Sequence, residues 1–580
     1  MLEYTDTDEI LLTHSLVPCG PIPSTHDPDA LYPYESFCET SKRPTLKKYR
    51  IVTMENDKIR VKICPDLGGR VCSIFLKESS TEALYFPNVV RPVRILPRQA
   101  FTGGGLELSF PISHTPVEIS AVFCEITTRS GRIYVSCGER EIRHGMHWTV
   151  EYSLGESDAF LTQRTLFFNP DSEPHPWMSW SNAAVPARPD TEFHFPNGPV
   201  LAHGRDLRIL DWESEGPRRQ SDVHRMTGYF WKQPDCCAFG VFTPSLGSGL
   251  YHVADPGSVP GIKLWSDGIG RDEDWVSQYT LNREQCLEIQ ASPLVDQSIK
   301  EVLQPGQSRH HVEYWIPSAK PREIRQVALP APDLRPLDRV PLFGWARDEE
   351  VNLWCKVIAA HKSRNTTGIP KAPDLDSNQW AITGSSELGE ALAWAGATTQ
   401  GNERDRWLFQ LGAWLAGRGD AESALKVLAE SGDDRARALS GRLWLFQHDA
   451  RSAVNSFRAV TSQAVALHPQ VVVERDRALA ALGLETIDER EYWLAAVSAL
   501  DDEWLAERRA SLLIDKRDFQ GAMQVLKNTR FQLVHQRYER TRLWRQVERA
   551  LGLQPVEFPS WLGEDDLAEF GAYREHSTES

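Results

Sequence analysis

No run of about 18 consecutive apolar residues occurs in this 580-residue chain, which excludes a membrane-spanning helix. The N-terminus lacks the basic start and apolar stretch of a secretory leader, because Met1–Leu12 carries Glu3, Asp6, Asp8 and Glu9. Positive charge is also short: 64 Lys and Arg face 80 Asp and Glu, a formal charge of −16 that repels nucleic-acid backbones and anionic membranes. Neither is expected as a partner. The ten cysteines contain no C-x-x-C pair and make no disulfide framework in so long a chain, so reduced thiols and a cytoplasmic location are the expectation. Adjacent Cys236 and Cys237 have no further Cys or His at ligand spacing and read as small buried hydrophobes, so no metal is expected. The glycine run Gly103–Gly105 has no following G-K-[ST] and no strand–helix–strand context, which argues against a phosphate loop. No cofactor is expected.

What the chain does have is length for two hydrophobic cores, since single cores stop growing at roughly 250–300 residues. Residues 1–48 are rich in Pro, Asp, Ser and Thr and predict an extended segment over the surface. From Tyr49 the pattern has period two: Ile59, Val61 and Ile63 alternate with Arg60 and Lys62, and Trp148, Val150 and Tyr152 with His147, Thr149 and Glu151. Further strands are expected at Arg132–Cys137, Phe160–Phe168, Cys237–Thr243, Leu250–Val253, Gln285–Ala291 and His311–Ile316. Many short strands without intervening helices predict antiparallel sheets over residues 49–317. Residues 318–347 are Pro-rich and predict a linker.

Beyond the linker, over residues 348–575, Ala, Leu, Glu and Arg dominate, and Trp407, Leu411, Trp414 and Leu415 form a helical stripe. Three segments echo one another, beginning at Gly419-Asp420, His448-Asp449 and Arg517-Asp518. In each, an Ala four positions after the Asp (Ala424, Ala453, Ala522) is followed four residues later by Leu428, Phe457 or Leu526. That is similar to the second helix of a tetratricopeptide-like repeat, though the spacing is uneven against a period of about 34 residues. Mixed-sign runs such as Glu403, Arg404, Asp405 and Arg406 read as solvated helix faces that bring no catalytic group. The repeats suit a protein partner or self-association.

For chemistry the most informative strand is Cys286–Ala291. Alternation turns Leu287 and Ile289 one way and Cys286, Glu288 and Gln290 the other, so Glu288 is either an outward charge or points into a cleft. The stretch around Asn56, Asp57, Gly68, Gly69 and Arg70, with the late L-E-x-Q at Leu287–Gln290, resembles the galactose mutarotase-like superfamily. More closely, the chain resembles a family of mutarotase-like domains of unknown function joined to tetratricopeptide-like helices. Gly104-Gly105-Leu106-Glu107, Phe110-Pro111, His114, Ser181-Asn182, His252 to Asp255 and Gly261 to Trp265 carry that likeness.

The resemblance implies an antiparallel β-supersandwich with a sugar on a concave face, and then an α-helical repeat domain. It implies a Glu acting as base on the anomeric hydroxyl, a role that falls to Glu288, and a His acting as acid at the ring oxygen. That His is missing: the matching segment reads Met178-Ser179-Trp180-Ser181-Asn182-Ala183. Glu107 or His114 is the candidate substitute, and Glu107 facing Glu288 would make the two-carboxylate arrangement of glycoside chemistry. Arg70, Asn182, Trp180, His252, Asp255, Lys263, Trp265 and Gln290 are the candidate substrate-binding residues, although large aromatics usually fill cores and the core reading is the favoured one for the two tryptophans. Two functions remain in view. One is a carbohydrate-active enzyme working at or near an anomeric centre, a glycoside hydrolase, transglycosylase or epimerase. The other is a non-catalytic carbohydrate-recognition or scaffold protein whose helices hold a partner.

Overall fold

The computed structural model describes residues 2–553 apart from 19–20, 24, 28–29, 33–36, 42, 97–98, 112–118, 142, 204–206, 225, 269–279, 283, 298, 338–347, 375–380, 382–384, 501 and 530–535. Two large antiparallel sheets make the first part. One runs, edge to edge, through Glu3–Thr13, Thr45–Glu55, Ile59–Cys64, Arg70–Leu76, Leu106–Ser109, Trp180–Pro186, Cys286–Ser292, Gly261–Ser266, Thr227–Trp231, Pro199–His203 and Leu207–Asp211. The other runs through Phe123–Arg129, Arg132–Arg140, His147–Gly155, Leu161–Phe168, Ser308–Ser318, Ser248–Ala254, Ala238–Thr243 and Glu192–His194. The strands that alternation predicts at Phe160–Phe168, Cys237–Thr243 and Gln285–Ala291 are thus observed at Leu161–Phe168, Ala238–Thr243 and Cys286–Ser292.

The sheets share one core. Leu106, Ala183, Leu264, Leu287 and Ile289 of the first pack in a cluster with Val135, Val150, Leu250 and Trp315 of the second, all buried. Each of the Val, Leu and Ile side chains contributes about 1.5–3 kcal/mol by leaving water. Because strand side chains alternate, burying these residues turns Glu107, Asn182, Glu288, Gln290 and Lys263 to the opposite face of the first sheet. The candidate site lies on that face.

One polar island interrupts the core. The Glu313 carboxylate accepts from Ser181 Oγ at 2.8 Å and lies 3.1 Å from both His252 Nε2 and His311 Nε2. Burial pushes its carboxyl up, but the hydrogen bonds with His252 and His311 outweigh burial and hold it down at about 2, against an ordinary 4.5. The stability this supplies is complete above pH 4.5 and is lost as pH falls towards 2. It amounts to about 3 kcal/mol. Glu313→Gln is therefore expected to lower unfolding free energy near pH 7 by about that amount and to flatten its fall in acid. Urea denaturation of both proteins between pH 7 and pH 3 checks this, and parallel pH dependences would contradict it.

The N-terminal segment ties the two parts together. Glu3–Thr13 pairs along its whole length with Thr45–Glu55, and Asp6 meets Arg50 while Glu9 meets Lys62 at 2.6 Å. Further on, Ile22 is fully buried in the helical core with Phe409, Ala413 and Leu439, and Arg442 donates to the Pro23 carbonyl. Part of the Pro-rich linker is fastened to the second sheet: Arg335 Nε donates to Glu151 Oε2 at 3.1 Å and its guanidinium sits 4.6 Å from the Tyr134 ring.

Helices follow. The three echoed segments are the helices Ala421–Ala429, Ala450–Arg458 and Phe519–Asn528, and their aspartates are N-caps. Asp420, Asp449 and Asp518 accept from the backbone N–H of Ser423, Ser452 and Gly521, which satisfies donors that the first helical turn leaves free. Ala424, Ala453 and Ala522 are fully buried, as are Phe457 and Leu526. The preceding helix makes room: a Cβ on Gly412 would stand 2.4 Å from Leu428 Cδ2. The run Glu403–Arg406 is half-buried rather than a solvated face. Glu403 accepts from the Ala372 backbone at 2.5 Å and Arg404 pairs with Glu430 at 2.9 Å, so these charges join successive segments. Among the described residues no helix is long and apolar enough to cross a membrane.

Candidate functional site

The register of the first sheet lines up one row of functional side chains across five strands. Glu107 pairs with Asn182, Asn182 with Gln290, Gln290 with Lys263, and Lys263 with Phe230. Arg70, on the strand beyond Glu107, closes the row through its ion pair with that carboxylate at 2.6 Å. A second row, two residues along on the same face, places Glu288 between Ala184 and Trp265. Trp180 lies on this face too, two residues from Asn182.

Each polar side chain of the first row has a hydrogen-bond partner. Glu107 is used as an acceptor on both oxygens, from Arg70 Nη2 at 2.6 Å and from Asn182 Nδ2 at 2.9 Å. Arg70 also donates to the Gly104 carbonyl. Gln290 Nε2 donates to Glu288 Oε2 at 2.7 Å. Lys263 donates to Gln297 Oε1 at 2.9 Å, and its ammonium lies 5.0 Å from the Trp265 ring centre, 4.8 Å from Phe230 and 5.9 Å from Trp180. Burial pushes the Lys263 amine down to about 7, with the Glu288 carboxylate opposing. The aromatic faces still attract the protonated form, so both forms are accessible near neutrality.

Of the residues that sequence singles out, Arg70, Glu107, Asn182, Trp180, Lys263, Trp265, Glu288 and Gln290 share this face. His252 does not join them: it lies on the second sheet, bonded to Glu313 between the sheets. Its strand turns it away from Tyr251 and Val253, as alternation requires, but towards the core. Asp255 sits on an exposed turn after that strand, its carbonyl accepting from Ser258 and Val259. His114 falls outside the described residues.

Three participants were not among the candidates. Phe230 and Gln297 surround Lys263, and His203 stacks on Phe230 at 4.7 Å with Trp265 at 5.7 Å. His203 fits there because its partner residue is Gly228, where a Cβ would stand 2.3 Å from the His203 Nε2. Burial, and then the charges of Lys263 and Lys232, hold the His203 imidazole well below its usual range, hence neutral. Its sequence context, Pro199–His203, carries no motif. Only the pairing with Gly228 would have pointed to it, and pairing is not local information.

Among the described residues no group of three or more His, Cys, Asp or Glu could hold a metal ion. The groups gathered here are two carboxylates, three amides, a guanidinium, an amine and aromatic faces, a set that suits hydroxyl groups and a sugar ring.

The crystal structure of a TPR-domain containing protein from Parabacteroides distasonis is similar over 97% of this chain and 98% of its own, at 47% identity with a TM-score of 0.93. A galactose mutarotase-like protein from Clostridium acetobutylicum is similar over 47% of this chain and 95% of its own, at 12% identity and a TM-score of 0.35. One from Lactobacillus casei is similar over 46% and 99%, again at 12% identity and 0.35. A C-terminal domain family matches residues 354–547. A domain of unknown function, DUF5107, matches residues 26–318, about half the chain, and the chain therefore belongs to the family that this domain defines.

Proposed function

We propose that the β domain acts on a sugar at its anomeric centre, exchanging the two anomers of an aldose, with Glu288 as base and Lys263 as the acid that replaces the missing histidine. The observation that carries this reading is the placement of Lys263, one strand from Glu288 on a common face and walled by Trp180, Trp265 and Phe230. In the forward step Glu288 takes the proton of the anomeric hydroxyl and the C1–O1 bond becomes a carbonyl. The ring C1–O5 bond breaks with its electron pair on O5, which receives a proton from the Lys263 ammonium. Rotation about C1–C2 and the reverse transfers give the other anomer. An acid whose two forms are both populated near pH 7 suits a reaction that must give and then recover one proton.

The two-carboxylate alternative finds less support. Glu107 is occupied by Arg70 and Asn182, and it serves as an ionised anchor rather than a proton donor. It is also two strands and two residues away from Glu288, which at about 4.8 Å per strand and 3.4 Å per residue separates their Cα atoms by roughly 12 Å.

The test is a panel of free aldoses and disaccharides with the purified protein, reading anomer exchange by saturation-transfer NMR and hydrolysis by chromatography. Exchange above the uncatalysed rate for at least one aldose is expected. Sugar binding with neither exchange nor hydrolysis would instead favour the recognition reading, in which the helices hold a partner and the β domain only binds.

A further inference from the structure

The two amides at the centre of the site carry more information than their presence alone. Asn182 gives its NH2 group to Glu107 and Gln290 gives its NH2 group to Glu288, and a carboxylate can only accept, so the orientation of both amides is set by chemistry. Their carbonyl oxygens, Asn182 Oδ1 and Gln290 Oε1, are consequently the ends left over. Both are buried and neither has a hydrogen-bond partner. A buried acceptor without a donor is costly to a fold, and here two of them occupy directly paired positions on neighbouring strands. The protein thus holds two adjacent acceptors that a donor, water or the hydroxyl of a ligand, can satisfy.

The charges around them say what else that ligand carries. Glu107 and Glu288 flank the amides on either side. Arg70 is already committed to Glu107 and the Gly104 carbonyl, and Lys263 donates to Gln297. Among the described residues of this face, then, the two cations already serve acceptors of the protein, and the ends left over are acceptors, within a chain whose formal charge is −16. A phosphate or carboxylate brings acceptors and negative charge where donors are needed. Hydroxyl groups bring donors without charge.

We infer that the site takes a neutral polyhydroxylated sugar, two adjacent hydroxyls of which donate to Asn182 Oδ1 and Gln290 Oε1, and that it rejects the phosphorylated or carboxylate form of the same sugar. This rests on reading the site as one that holds a sugar at its anomeric centre, and it adds the substrate class. Trp265, half-buried, offers an apolar face to the ring.

Calorimetric titration of the full-length protein with glucose, galactose, mannose, xylose, glucose 6-phosphate and glucuronic acid tests it. A neutral aldose is expected to bind at least about tenfold tighter than either charged probe. For the tightest neutral sugar, its monodeoxy analogues are then titrated. Two adjacent positions are expected to lose about tenfold or more when deoxygenated, because a buried acceptor is left unpaired. In Gln290→Met one of those two deoxy sugars should bind no worse than its parent, which a merely structural role for Gln290 would not produce. Should that variant fail to fold, the deoxy series on the unaltered protein still decides. Glucose 6-phosphate or glucuronic acid binding as tightly as the neutral sugars would overturn the substrate class and leave anomeric chemistry standing. No binding by any of the six at millimolar concentration would overturn the sugar reading itself.

Discussion

Glu288→Gln is expected to slow anomer exchange by about 10²–10⁴ while leaving sugar affinity within about a factor of ten. The substitution keeps the shape of the side chain and removes only its capacity to take a proton. Its neighbours allow that change to be read cleanly: Leu287 and Ile289 remain buried in the core and hold the strand, and Gln290 can still donate to the new amide oxygen. Two outcomes separate the proposed functions. Turnover falling with affinity preserved assigns Glu288 the base. Unchanged turnover returns it to an ordinary strand charge, whereas a protein that never turned sugar over would show a change in affinity alone. The paired measurement is calorimetry and exchange NMR on the same aldose for both proteins.

How far the site was legible depends on which information each residue needs. Glu288 and Gln290 could be placed because period-two alternation is local: once Leu287 and Ile289 are core, their neighbours must face the other way. Arg70, Glu107, Asn182 and Lys263 could be nominated from motifs, yet their order across the sheet follows from a register that joins strands far apart in the chain. Glu107 shows the cost. As a carboxylate beside a glycine run it reads as a candidate acid, and only the pairing with Asn182 and the ion pair with Arg70 reveal an anchor. His252 shows the converse, since alternation gave the right side of its strand but could not say which sheet that strand would join. His203 and Phe230 were invisible because stacking against Trp265 and Lys263 depends wholly on tertiary placement. In the helical part the Asp–Ala–Leu echo was legible because capping and small-residue packing repeat within ten residues, a local signal again.

Lys263→Met is expected to lower exchange by about 10²–10⁴, like loss of the base, and also to change the shape of the pH profile. The active form for a cyclic sugar needs Glu288 ionised and Lys263 protonated, so kcat/KM of the unaltered protein should fall as pH rises through about 7. Among the described residues, Lys263 is faced by Glu288, whose charge opposes deprotonation, by Gln297, which is neutral, and by His203, whose imidazole is held neutral beside it. Lys263 is accordingly a group on this face that titrates there, and its removal should abolish the alkaline limb that it supplies. Stability carries the opposite sign. The amine is lowered in the folded chain from an ordinary 10.5 to about 7, so the unfolded chain binds more protons between these values and stability rises with pH across that window. Lys263→Met should remove that rise and stabilise the fold below pH 7, where the unaltered chain must bury a charge. Lys263→Arg completes the set, since a guanidinium keeps positive charge but does not release a proton. A role in binding alone would let the arginine variant retain turnover, and retention of more than about a tenth of it, with the alkaline limb intact, would remove Lys263 from the chemistry.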